Sequence, residues 1–468
     1  MFKRFTLAAA VLLPLSAPTT LTAQSLTAAE TAKVDAVVNE ALAKTGTPSA
    51  SIAIVRGGQL VLAKAYGKAS EAIPVSTPAL PYQIASNSKQ FTAAAVLLLQ
   101  RDGKLSLDDT VAEYLPGITG GDRITIRQLL SHTSGLQDYW PQDYSFAAMA
   151  SPITPQGILD RWAKKPLDFA PGTQWQYSNT GYVVAGLIVE KVAGEPLLSF
   201  LQRRIFTSLG MAPIDQDVAV GPRYPQGYQR FALGPVRMER PAAKGWLFAA
   251  GELAMTATDL ARWDIARMNR ALLSPADWTL QETPVKLTDG TSNGYGLGVQ
   301  TGTFKGHKIV SHGGEAVGFL SQNSVLPDDE AAVVVLTNAD FGDAYEAITA
   351  GLLDIVAPAP APAADNGSAL AKARRVYDML RGGTLDRALL TKDANYYFTP
   401  TALADYHTSL GALGEPTGFV AAAPAKLRGG FVNRNYKVSY GGRTLTIVTY
   451  AEPGAGGRFE QFLVMPAN

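Results

Sequence analysis

The sequence predicts an α+β fold in which one antiparallel sheet is assembled from the two ends of a long segment, with a mostly helical region between them. Three observations carry this expectation. Strand-type runs lie near the front of the chain and return after residue 295, helical patterns fill most of the interval, and an alanine-proline run then sets apart a further group of helices and strands. At 468 residues the chain is too long for one ordinary domain. Its 41 basic and 40 acidic residues leave a formal net charge of +1. That balance gives no electrostatic footprint for nucleic acid or an anionic membrane surface.

Lys3 and Arg4 precede an apolar run over residues 7–15, and the small residue Ala23 ends the polar stretch that follows. This is the layout of a secretory signal peptide over residues 1–23, which implies an exported protein, periplasmic or secreted. An uncleaved anchor is the alternative, although the run is short for a membrane span. Cysteine is absent, which excludes a disulfide framework, a thiolate metal site and a lipoprotein anchor.

The elements follow in order. Thr27-Ala28-Ala29-Glu30 reads as a capping box, and Val34, Val37, Val38, Ala41 and Leu42 mark one face of the helix it opens. Residues 51–55 and 59–65 are β-rich and flank Arg56-Gly57-Gly58, the pattern of a hairpin. Ile84-Ala85-Ser86-Asn87-Ser88-Lys89 then runs into the apolar stretch 93–99, predicting a helix that starts at Ser86 and ends near Asp102-Gly103. From 105 to 200 the pattern is helical with loops, and the loop after Leu136 carries Tyr139, Trp140, Tyr144 and Phe146. Strand patterns return at 295–300, 307–311, Phe319–Leu326 and Ala331–Thr337, and a helix at Ala344–Val356 closes a domain of residues 24–356. Residues 357–368 begin Ala357-Pro358-Ala359-Pro360 and form a stiff, extended linker. A small α+β accessory domain, 369–468, follows, with helices at 369–381 and 402–410 and strands at 436–440, 444–450 and 459–465.

The chemistry concentrates at Ser86 and Lys89, which share a helix face. A serine hydroxyl is a poor nucleophile until a base takes its proton, and an amine enclosed by apolar side chains loses basicity into the range a base needs. The helix N-terminus adds partial positive charge where an oxyanion would form. Alone, Ser-x-x-Lys is usually an N-cap followed by a solvated lysine. Two further stretches change that: Pro171-Gly172-Thr173 leads into Tyr177-Ser178-Asn179, and His312-Gly313-Gly314 lies at the end of an expected strand.

The three motifs, in this order and at wide spacing, match the pattern of penicillin-recognising serine hydrolases. The chain resembles the branch that holds class C β-lactamases, D-alanyl-D-alanine carboxypeptidases, D-amino-acid-specific amidases and β-lactamase-like esterases. The resemblance covers residues 51–356 and includes Leu129-Leu130-Ser131-His132-Thr133-Ser134-Gly135 and Thr256-Ala257-Thr258-Asp259-Leu260. It implies a β-lactamase-like fold with Ser86 as nucleophile and Lys89 as its base partner. Tyr177 would pass a proton to the leaving group and later activate the deacylating water. Asn179 would hold the substrate amide or the lysine, and the N–H groups of Ser86 and Glu315 would form the oxyanion hole. His312, Gly313, Gly314 and Glu315 would form the substrate-binding strand.

The implied activity is an acyl-enzyme hydrolase acting on peptides or amides, including those with D-residues, with no metal or organic cofactor. A carboxylesterase, a class C-type β-lactamase and a penicillin-binding module without turnover are the alternatives. His312 stands where class C enzymes have lysine, so weaker attraction for a β-lactam carboxylate is expected. Gly290-Thr291-Ser292-Asn293-Gly294 fits the nucleophile-elbow pattern, but a polar loop precedes it where that elbow needs a strand. The four histidines, His132, His307, His312 and His407, show no metal-ligand spacing.

Overall fold

A capping box opens the first helix, α1 (Ala28–Thr45): Thr27 Oγ1 accepts from the Glu30 amide, and the Glu30 carboxylate accepts from the Thr27 amide. The computed structural model describes residues 25–142, 144–357, 368–423, 425–428, 431–454 and 456–466. The leader 1–23 and the linker residues 358–367 lie outside the described residues. The chain divides into two units, one ending at Pro358 and the other beginning at Ala359.

In the first unit the hairpin β1 (Ser49–Arg56) and β2 (Gln59–Gly67) precedes α2 (Lys89–Arg101), α3 (Ile126–Leu130), α4 (Asn179–Ala193) and α5 (Ala257–Met268). Then come β3 (Gln300–Phe304), β4 (His307–Ala316), β5 (Phe319–Leu326), β6 (Ala331–Thr337) and α6 (Ala344–Val356). The sheet order is β2-β1-β6-β5-β4-β3, antiparallel throughout. Ile52 of β1 lies opposite Val335 of β6, so the front hairpin completes a sheet begun by the last strands.

Both faces of this sheet are covered. Val333 and Val335 join Val34 and Val38 of α1 and Ile348 and Leu352 of α6 in one core, while Val334 and Leu336 join the core that contains α2. All seven residues of β6 are therefore buried, and the strand reads as an unbroken apolar run because neither face meets water. Helix α2 is buried from Lys89 to Leu99, so its apolar character continues all the way round.

A short three-stranded sheet of Tyr82–Gln83, Leu253–Met255 and Ile214–Asp215 holds the approach to α2. The Ile84 amide donates to the Leu253 carbonyl at 3.0 Å, and the Leu253 amide donates to Ser88 Oγ at 3.1 Å. The segment carrying Ser86 is clamped at both ends.

The structure corrects one of the expected strands. Residues 295–299 are not a strand, and β3 begins at Gln300. These residues are pinned one at a time to separate partners: Leu297 donates to the Gln281 carbonyl, and Gly298, at φ +74°, donates to the Leu130 carbonyl. A Cβ on Gly296 would collide with the Gln281 carbonyl. The alternation looked strand-like, but tertiary contacts claimed the backbone groups that a ladder needs.

The second unit contains α7 (Ser368–Arg381), α8 (Lys392–Tyr397) and α9 (Pro400–Gly411). Its sheet runs β7 (Gly418–Ala421), β9 (Phe431–Tyr440), β10 (Arg443–Ala451) and β11 (Phe459–Pro466), with β8 (Lys426–Arg428) also paired to β9. Val376, Tyr377 and Leu380 of α7 pack with Tyr436, Val438, Ile447 and Phe462 in a core of its own. Among the described residues no helix is long and apolar enough to cross a membrane.

Candidate active site

Ser86 lies in a four-residue 3-10 turn, Ala85–Ser88, that runs into α2, whereas the sequence pattern predicts an α-helix starting at Ser86. In a 3-10 turn, side chains three residues apart eclipse one another. Lys89 is thereby drawn over Ser86, with Nζ 2.9 Å from Oγ. Ala85 has φ +48°, a left-handed conformation that costs an L-residue roughly 1 kcal/mol and persists only where packing enforces it. Ala85 is fully buried, so the kink before the serine is held from all sides.

Lys89 is also fully buried. Its Nζ lies 2.8 Å from Asn179 Oδ1 and 2.7 Å from the Ala250 carbonyl, in addition to Ser86. Burial lowers its pKa to about 7, against the pull of the Asp138 carboxylate. A neutral amine has two N–H donors and one lone pair. Asn179 Oδ1 and the Ala250 carbonyl accept only, so they take both donors and direct the lone pair at the Ser86 hydroxyl.

The start of α4 supplies the opposite wall. Ser178 caps the helix by accepting from the Gly181 amide at 3.2 Å, which sets Tyr177 before the cap and Asn179 just inside it. Asn179 Nδ2 donates to Asp138 Oδ2 at 3.2 Å and its amide donates to Oδ1 at 3.0 Å, so its Oδ1 is turned to the lysine. Burial pushes the Tyr177 phenol up, while a hydrogen bond with Ser86 pulls the other way, and the phenol keeps its proton. The ring of Tyr177 lies against His132, with centroids 4.1 Å apart.

Strand β4 forms the third side. A Cβ on Gly314 would collide with the Ile84 carbonyl and the Ser321 hydroxyl. Glycine at this position thus lets β4 approach the Ser86 turn, whereas Gly313 has more room. His312 is buried, and both ring nitrogens are engaged within the protein: Nε2 by Tyr295 at 2.7 Å and Nδ1 by the Gly313 carbonyl. Burial, and then the charge on Lys89, lower its pKa to about 4.

Of the residues singled out in the sequence, Ser86, Tyr177, Asn179, His312, Gly313, Gly314 and Glu315 line one cleft of about 1060 Å³. Lys89 reaches Ser86 from the buried side. The carboxylates Asp138, Glu239, Glu315 and Asp340 also line this cleft, against the guanidinium of Arg230. That guanidinium is committed to the Thr45 carbonyl at 2.9 Å and to the face of Phe341.

The beta-lactamase family profile matches residues 34–357 of the chain. The chain belongs to the beta-lactamase family. Members of this family are serine hydrolases. A penicillin-binding protein of Bacillus subtilis is 31% identical over 316 residues, which is 63% of this chain and 69% of that protein. The solved structure of a D-stereospecific amidohydrolase from Streptomyces sp. is similar at 28% identity and a TM-score of 0.61, over 70% of this chain and 99% of that one. The octameric penicillin-binding protein homologue from Pyrococcus abyssi shares the fold, with a TM-score of 0.62 at 21% identity over 93% of this chain and 99% of its own.

In this beta-lactamase family member, sequence reasoning passed over Asp138, the Ala250 carbonyl and Tyr295. Asp138 did leave a signal, as one of two acids in a loop crowded with aromatic side chains. Tyr295 left none, because it sat in a glycine-rich stretch read as a strand and its partners are 17 and 163 residues away.

Proposed function

We propose that this protein is an exported serine hydrolase that acts through an acyl-enzyme on amides or peptides, D-residues among them. The observation that carries the reading is the environment of Lys89: a buried amine with a pKa of about 7, whose lone pair two acceptors direct at Ser86. Lys89 takes the proton as Ser86 Oγ attacks the carbonyl carbon. The N–H groups of Ser86 and Glu315 stabilise the oxyanion. The proton held on Lys89 passes through the Tyr177 hydroxyl to the leaving nitrogen as its bond to the acyl carbon breaks. Water then attacks the ester, giving up its proton to the same pair, which returns it to Ser86 Oγ as the bond to the acyl carbon breaks.

The amide preference draws support from the carboxylates along the cleft, which repel an anionic β-lactam, and from a neutral His312, which offers its carboxylate no charge. The likeness to a D-stereospecific amidohydrolase points the same way. Export rests on the basic and apolar leader around Lys3 and Arg4.

Turnover of D-amino-acid amides, D-alanyl peptides, short-chain esters and a chromogenic cephalosporin, with fluorophosphonate labelling, tests this reading. The amides and peptides should turn over fastest and the cephalosporin poorly. Ser86→Ala should abolish turnover and labelling, and Ser292→Ala, in an exposed loop, should leave both intact. Equal loss in the two variants would remove Ser86 as the nucleophile. A single burst without steady turnover would mark a binding module instead.

A further inference from the structure

Three side chains beside the cleft form a hydrogen-bond chain whose direction is set at both ends by the backbone. The Ser178 amide, which can only donate, lies 3.1 Å from His132 Nδ1. His132 Nε2 lies 3.2 Å from the Tyr295 hydroxyl, and that hydroxyl lies 2.7 Å from His312 Nε2. His312 Nδ1 meets the Gly313 carbonyl, which can only accept. One arrangement of protons satisfies every link. His132 is bare at Nδ1 and donates from Nε2 to the Tyr295 oxygen, Tyr295 donates to His312 Nε2, and His312 donates from Nδ1 to Gly313.

We propose that His132 and Tyr295 are positioning residues that hold His312 neutral, in its Nδ1–H tautomer, and tie the Tyr177–Asn179 wall of the cleft to the strand bearing Glu315. The two ends make the tie functional, since Ser178 stands between Tyr177 and Asn179, and Gly313 stands two residues before Glu315. A proton added to either imidazole breaks a link. At His132 it removes the acceptor of the Ser178 amide, and at His312 it removes the acceptor of the Tyr295 hydroxyl. The titratable groups packed around the chain are Lys89 from α2 and Tyr177 and Tyr182 from the start of α4. The Tyr182 proton is committed to the Leu130 carbonyl at 2.6 Å, so toward Tyr295 its oxygen can only accept, sharing the Tyr295 proton with His312 Nε2 and leaving the direction of the chain unchanged. Burial and the nearby Lys89 lower the pKa of both imidazoles, in keeping with a chain that stays neutral while Lys89 titrates.

The proposal rests on the acyl-transfer reading for its consequence, but its first test needs no turnover. Nitrogen-15 spectra of the histidine-labelled native protein, with His307→Gln and His407→Gln to assign the other two rings, report tautomer and charge directly. His132 should carry its proton on Nε2 and His312 on Nδ1, both unchanged over roughly pH 5 to 8, where an ordinary histidine titrates. Opposite tautomers, or titration of either ring within that range, overturn the proposal. In Tyr295→Phe, His312 should show a second tautomer or begin to titrate. The kcat for a D-amino-acid amide should fall about tenfold with KM within about twofold, and the acid limb of kcat/KM should steepen from one proton toward two. Lower activity with unchanged tautomers and an unchanged pH profile reduces Tyr295 to a packing role and also overturns it. If Tyr295→Phe does not fold, the native spectra decide alone, and a failed Ser86 assignment appears separately as retained labelling in Ser86→Ala.

Discussion

Among the described residues of the first unit, two cations lie buried within reach of the same helix, and they are handled in opposite ways. Lys89 meets neutral acceptors, and its nearest carboxylate, Asp138, acts at one remove through Asn179. Arg267 is buried as completely, yet its guanidinium pairs directly with Glu282 at 3.2 Å, donates to Gln90 Oε1 at 3.0 Å and stacks over Trp278. Gln90 follows Lys89 in sequence, so consecutive residues of α2 serve a titratable site on one side and a locked ion pair on the other. Asp264, one turn before Arg267, completes the contrast: its hydrogen-bond partner is the Asn323 amide, and burial pushes its carboxyl up to about 7. Burial by itself does not decide whether an interior charge is a reagent or a strut. What decides is whether the opposite charge touches it or stands behind a neutral amide.

The largest expected effect comes from making the first site as permanently charged as the second. Lys89→Arg places a group at Ser86 that cannot give up its proton at working pH, and kcat should drop about 1000-fold, the usual worth of a general base. A variant that keeps a tenth or more of native turnover, by about the same reckoning, would mean that Lys89 is not the base. Next, removing one partner of the locked pair should cost stability and not chemistry. Glu282→Gln leaves Arg267 buried without its counter-charge, and denaturant unfolding should show a loss of about 3 kcal/mol with kcat per folded molecule unchanged. A loss near zero would show that neither Arg267 nor Arg270 and Lys308, which also approach Glu282, depends on its charge.

The smallest effect is the most direct comparison. Asn179→Asp converts the Lys89 contact into the kind that Arg267 makes, with a carboxylate touching the cation. The ammonium form is then favoured, so the Lys89 pKa rises above its native value of about 7. The acid limb of kcat/KM should move up by about one pH unit, with activity near neutrality falling about fivefold and recovering as pH rises through the new value. A limb that stays where it was would show that another group sets it.

The sequence by itself determined the elements whose information is local. The Thr27–Glu30 box starts α1, the Gly57-Gly58 turn sets the hairpin, and the apolar runs of β5 and β6 end at the residues where the ladder ends, because caps, turns and continuous burial act within a few residues. Ser86, Lys89, Tyr177 and His312 were legible as motifs since their chemistry demands particular residue types. Only the tertiary structure decided what those residues do to one another. The 3-10 turn that eclipses Ser86 and Lys89 is enforced by clamps at Leu253, which no local pattern announces. That a side chain on Gly314 would collide with the Ile84 carbonyl is visible only in the packed structure. Tyr295 looked like the start of a strand and stands between two histidines distant in the chain. Hydrogen-bond direction and the pKa of a buried amine depend on which donors and acceptors surround it in space, and that set exists only once the distant segments have packed together.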